Sequence, residues 1–64
     1  MELKELKVGE YFTLKEIAEP KESQVYIRGE YDKSSKTYSC CKFSDMNDER
    51  FLKGNKIVFT EFTF

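Results

Sequence analysis

The sequence predicts a mostly β domain: a curled antiparallel sheet of about four strands, with one short helical turn before the last. Three observations lead there. Residues 25–43, VYIRGEYDKSSKTYSCCKF, alternate apolar and polar, break at a polar cluster and alternate again, which is the pattern of a hairpin. Residues 8–15 and 56–64 are short runs rich in β-branched and aromatic side chains, bounded by glycine and polar residues. Six Phe and four Tyr among 64 residues supply the burial that a disordered chain with 36% charged residues would lack.

In chain order, MELKELK can form a fraying helical turn. Leu3 and Leu6, three apart, would then share a side and cover one end of the core. Gly9 suits a turn or bulge before the first strand, residues 8–15. There Phe12 and Leu14 share one face, and Tyr11, Thr13 and Lys15 the other. Thr13 and Glu16 have capping-box spacing, but they lie inside a strand-like run, so the match is read as coincidence. Residues 16–23 form the main loop, since Pro20 cannot donate to a sheet ladder and biases Glu19 away from helix.

The hairpin has two faces. Val25, Ile27, Gly29 and Tyr31 share one, and Tyr26, Arg28, Glu30 and Asp32 the other. Pairing Tyr31 with Thr37 brings Ile27 to Cys41 and Val25 to Phe43, an apolar surface. It sets Tyr26 against Lys42, Arg28 against Cys40 and Glu30 against Tyr38. A slip by one residue would bring Lys42 to Ile27, so this register is preferred, with the Val25/Ile27/Cys41/Phe43 face dry and Tyr26, Arg28 and Lys42 outward. The connecting residues 32–36 hold no Gly or Asn for a positive φ. Lys33, Ser34 or Ser35 must adapt, with the Asp32 carboxylate to help.

Residues 44–55 change character. Ser44 can cap a helix, Asp45, Asp48 and Glu49 fall near its positive end, Arg50 and Lys53 near its negative end, and Gly54 can end it. These signals predict a helical turn over residues 45–53, anchored by Met46, Phe51 and Leu52. The last strand, residues 56–64, has Val58, Phe62 and Phe64 on one face and Ile57 and Phe59 on the other. That pattern suits a central or well-covered strand. The order of elements resembles that of small SH3-like barrels, which also place a tight helical turn before the last strand. The Ala-Leu-Tyr-Asp-Tyr type of motif and the tryptophan of peptide-binding SH3 domains are absent, so the resemblance concerns topology alone.

Composition narrows the function. Sixty-four residues make a single domain, and a chain of this size buries only about 60% of its unfolded surface. Eleven Lys and Arg against twelve Asp and Glu argue against a dedicated duplex-DNA binder. No apolar run approaches the roughly 18 residues that span a bilayer, and the first ten residues lack the apolar stretch of a signal peptide. Cys40 and Cys41 are neighbours whose side chains point to opposite faces of a strand. Reduced thiols in a cytoplasmic protein are therefore expected, with an intermolecular disulfide as the alternative.

Without histidine, a thiol or hydroxyl nucleophile has no usual base, and a zinc site would need carboxylates beside the thiols. Asp45, Asn47 and Glu49 have the alternate spacing of an EF-hand calcium loop. Arg50 stands where that loop needs glycine, however, and Lys56 where it needs glutamate. No enzyme activity, cofactor or metal is expected.

The candidate surface is the polar face of the hairpin: Tyr26, Arg28, Tyr38 and Lys42, with Tyr11 and Lys15 adjacent. Aromatics beside cations on a sheet can stack bases and hold phosphates, and they are equally ordinary cross-strand pairs. The expected function is a small non-enzymatic interaction module, acting as a homodimer or as an accessory to a larger protein. It rests on more phenylalanine than one small sheet can hide. The alternative is a single-stranded nucleic-acid binder using the aromatic and basic face.

Overall fold

The computed structural model describes residues 1–64 and shows one antiparallel sheet with its strands in chain order. The strands are β1 (Tyr11–Thr13), β2 (Val25–Asp32), β3 (Thr37–Lys42) and β4 (Asp45–Lys53). The fold is mostly β, as expected, with two 3-10 turns, at Leu3–Glu5 and Glu22–Gln24. The sheet does not close on itself, so the barrel expected from the element order is not formed. No helix is long and apolar enough to cross a membrane. The molecule measures 34 × 25 × 15 Å, and its thin direction has room for one sheet and a single covering layer.

The central hairpin forms where alternation placed it. Tyr26 pairs with Lys42, Ile27 with Cys41 and Arg28 with Cys40. Beyond Arg28 the register shifts by one, so that Tyr31 meets Tyr38 and Asp32 meets Thr37, rather than Tyr31 meeting Thr37. Gly29 sits at this irregularity. A β-carbon there would collide with the Ser39 carbonyl oxygen, so the close approach of the two backbones requires glycine. In the connection, Lys36 takes the positive φ of 57°, one residue beyond the three expected to adapt. Asp32 accepts hydrogen bonds from the Ser34 amide (3.0 Å) and hydroxyl (2.7 Å), which hold its carboxyl below the ordinary carboxylate range.

Two elements differ from expectation. Residues 45–53 form a strand, not a helix. The Phe43–Ser44 pair is the tip of a second hairpin, and β4 pairs with β3 through Thr37–Lys53, Tyr38–Leu52, Ser39–Phe51, Cys40–Arg50 and Cys41–Glu49. A nine-residue helix rich in Asp and Asn is marginal by itself, whereas pairing buries part of Leu52 against the core. The closing residues are not a central strand. Residues 54–64 run outside the sheet and make two isolated bridges, Phe59 to Thr13 of β1 and Ile57 to Glu2 of the N-terminal segment. The first strand is also shorter than expected, because Gly9 turns the chain at φ 91° and leaves Val8 exposed.

The ends of the chain make the lid. The Leu3 amide donates to the Lys56 carbonyl (2.9 Å), Lys4 to Gly54 (3.0 Å) and Val58 to Met1 (2.8 Å). The Glu5 carboxylate accepts from the Glu2 amide at 2.6 Å and closes the N-terminal turn. In a 3-10 turn, positions three apart eclipse, so Leu3 and Leu6 point the same way. With Val58 they enclose Phe12, Tyr26 and Cys40, forming a core edged by Leu14, Tyr38 and Leu52.

This lid corrects the expected faces. The dry face is the one carrying Phe12, Tyr26 and Cys40. Ile27, Cys41 and Phe43 are half-exposed on the other, where only Val25 and its partner Thr13 are fully buried, beside the Phe59 bridge. Only nine residues are buried in all, so each lid side chain carries a large share of the stability. Leu3→Ala is expected to destabilise the fold by about 2–4 kcal/mol. Ile57→Ala, at a side chain 53% exposed, should stay within about 0.5 kcal/mol. Urea titration followed by circular dichroism separates the two.

Candidate interaction surface

The six residues singled out from the sequence do not share one outward surface. Tyr26 is 7% exposed and stacks on Phe12, with ring centroids 5.8 Å apart, inside the core. It lies there because Phe12, the strongest apolar residue of β1, pairs with it directly. Tyr38 lies at the core edge, in contact with the Arg28 guanidinium, 4.2 Å from its ring centroid, and with the tilted ring of Tyr31, at 4.8 Å. The ring contact packs the Arg28 guanidinium, while its buried Nε is left without a hydrogen-bond acceptor. Lys42 is half-buried and paired with Asp48 at 3.4 Å, and Asp48 also meets Arg50 at 3.7 Å. Lys15 is exposed beyond the end of β1, and Tyr11 is on the opposite face of the sheet.

That opposite face carries the aromatic surface. Tyr11 and Phe64 are 42% and 50% exposed. Their rings form an edge-to-face trio with half-buried Phe43: Tyr11–Phe43 5.7 Å, Tyr11–Phe64 5.9 Å and Phe43–Phe64 4.8 Å. Phe64 is held there by the tail, where the Thr63 amide donates to the Ala18 carbonyl at 2.9 Å. Ile27 and Cys41 continue the apolar surface across the paired strands. Towards β4 follow Ser39, whose hydroxyl donates to Glu49 at 3.1 Å, and Phe51, 60% exposed. Tyr11 therefore lies on this face, away from the residues with which the sequence groups it. Phe43 was expected on the dry face, and Phe64 among a surplus of phenylalanine that one small sheet cannot hide.

The hydroxyls that meet carboxylates, Ser34 on Asp32 at 2.7 Å and Ser39 on Glu49 at 3.1 Å, are exposed local contacts of the hairpins. Cys40 is buried, and burial pushes its thiol up, away from the thiolate. The larger cleft, about 270 Å³, is lined by Met1, Glu16, Val58, Phe59, Thr60 and Glu61, and is smaller than ordinary ligand pockets. Asp45, Asn47 and Glu49, the calcium-like triplet, lie along β4. There the Asp45 carboxylate accepts from the Asn47 amide at 3.1 Å and Glu49 faces Ser39. Comparisons of the chain with protein-family models, curated proteins and solved structures find no match.

The two thiols report directly on which face is open. In the native protein, Cys41 should be alkylated by iodoacetamide at least about ten times faster than Cys40, which becomes reactive only on opening of the core. Peptide mapping by mass spectrometry reads the ratio, and faster reaction at Cys40 would place the dry face on the wrong side.

Proposed function

We propose that the protein is a small non-enzymatic interaction module that works by protein–protein contact through its open sheet face. The observation that carries this is the trio of exposed Tyr11 and Phe64 with half-buried Phe43, continued by Ile27 and Cys41 as far as Glu49, the next charged side chain on that face. Rigid aromatic rings give large contact area at low entropic cost, and they dominate protein interfaces. A surface of this character fits a partner that offers an apolar, uncharged patch. The proposal places the module in the cytoplasm, in keeping with two unpaired cysteines.

Single-stranded nucleic acid is the weaker alternative. Stacking bases requires exposed rings beside free cations. Here Tyr26 is inside the core, Arg28 lies on Tyr38, and Lys42 and Arg50 both engage Asp48.

Photo-crosslinking in the native cell tests the proposal. A benzophenone side chain placed at Tyr11 or Phe64 should capture the same protein partner, and one placed at Lys33 in the hairpin connection should not. Tyr11→Ser and Phe64→Ser should each weaken binding of that partner by at least about tenfold. No protein adduct from either face position, or an RNA adduct in its place, would overturn it.

A further inference from the structure

One edge of the sheet is occupied and the other is not. Beside β1, Thr13 and Phe59 exchange both backbone hydrogen bonds, at 2.9 and 3.0 Å. Beside β4 there is no further strand. No strand lies against its outer edge, although the Lys53 carbonyl accepts from the Lys56 amide at 3.0 Å, and Glu49, Arg50, Phe51 and Lys53 are all exposed. Edge strands usually carry charge to prevent pairing with other chains. The charges of β4 act differently, because their order permits one pairing and penalises its neighbours.

We infer that β4 pairs antiparallel with β4 of a second copy of this chain, with Phe51 on the two-fold axis. Residues 49–53 read Glu-Arg-Phe-Leu-Lys. Centred on Phe51, Glu49 of each copy faces Lys53 of the other, and Arg50 faces Leu52. The two phenylalanines meet across the axis. With that axis perpendicular to the sheet, Glu49, Phe51 and Lys53 all lie on the face shared with Cys41, Ser39 and Thr37, so both Glu–Lys pairs and the Phe–Phe pair form on one side.

The neighbouring registers are worse. Centring on Asp48, Glu49, Arg50 or Lys53 places like charges directly opposite at the axis, which is destabilising. Centring on Leu52 forms no ion pair. Centring on Glu49 would set Asp48 against Arg50 and Asp45 against Lys53, but it recruits residues 45–48, where β4 departs from regular pairing with β3 and where Asp48 already holds Lys42 and Arg50. Residues 49–53 are the regularly paired stretch, so they present a straight edge. This edge is distinct from the aromatic trio, and its pairing does not require that face to dock anything.

Sedimentation equilibrium of the full chain from micromolar to millimolar concentration tests it, with circular dichroism confirming that each variant folds. The wild-type chain should dimerise. Glu49→Lys and Lys53→Glu should each raise the dissociation constant by about tenfold or more, since each converts both ion pairs to like-charge contacts. The double variant E49K/K53E should restore it to within about threefold of wild type, because the pairs re-form with signs exchanged. Three results would overturn the inference. They are a wild-type monomer at millimolar concentration, a double variant no better than the singles, and a dimer indifferent to residues 49 and 53 but abolished by Phe43→Ser.

Discussion

The fold depends on a contact between the two ends of the chain. A lone four-stranded sheet has two faces and only enough apolar side chains to dry one. Backbone hydrogen bonds between residues 1–4 and 54–58 decide which, by laying Leu3, Leu6 and Val58 over Phe12, Tyr26 and Cys40. The centre of that side becomes interior: Tyr26 stacks on Phe12, and Arg28 and Tyr31 flank Tyr38 at its margin. On the other side only Val25 and Thr13 are covered, and the rest keeps its exposure and with it the capacity to meet another molecule.

The hairpin register was legible in the sequence because alternation has a period of two and a slip reverses every side chain. Ile27 opposite Cys41 and Tyr26 opposite Lys42 follow from that pattern alone. The buried face did not follow, because both faces carry apolar residues. Val25, Ile27 and Phe43 look more hydrophobic than Tyr26 and Cys40, yet the latter receive the lid. A signal was present in β1: Phe12 is its strongest apolar residue, and its pairing with Tyr26 commits that face to the interior. Capping signals over residues 44–54 were locally consistent and still lost, since an adjacent strand offered backbone pairing and partial burial of Leu52. The N-terminal turn was legible, because the spacing of Leu3 and Leu6 specifies a shared direction regardless of what it covers.

The candidate surface shows the same division. Residue types were read correctly, as aromatics and cations concentrated on the hairpin, but their partners were not. Cations chosen for phosphate contact are spent internally, Arg28 on a tyrosine ring and Lys42 on Asp48. The aromatic trio draws on β1, the tip of the second hairpin and the last residue, three places that no local pattern joins. The surplus of phenylalanine noted from composition was the one global clue, and it is expressed there and at Phe51.

The clamp between the chain ends also sets an order in time. The hairpins linking β2, β3 and β4 close over short stretches, whereas the Met1–Val58 contact joins residues 57 positions apart. Loop-closure entropy makes such a junction a late event in folding, after the ribbon exists to receive it. The reverse also holds: thermal breathing that releases the clamp bares Phe12 and Tyr26 while the three-stranded ribbon is still intact. A partly opened molecule of this kind is apolar on both sides at once, and it is the species that chaperones and proteases would encounter first.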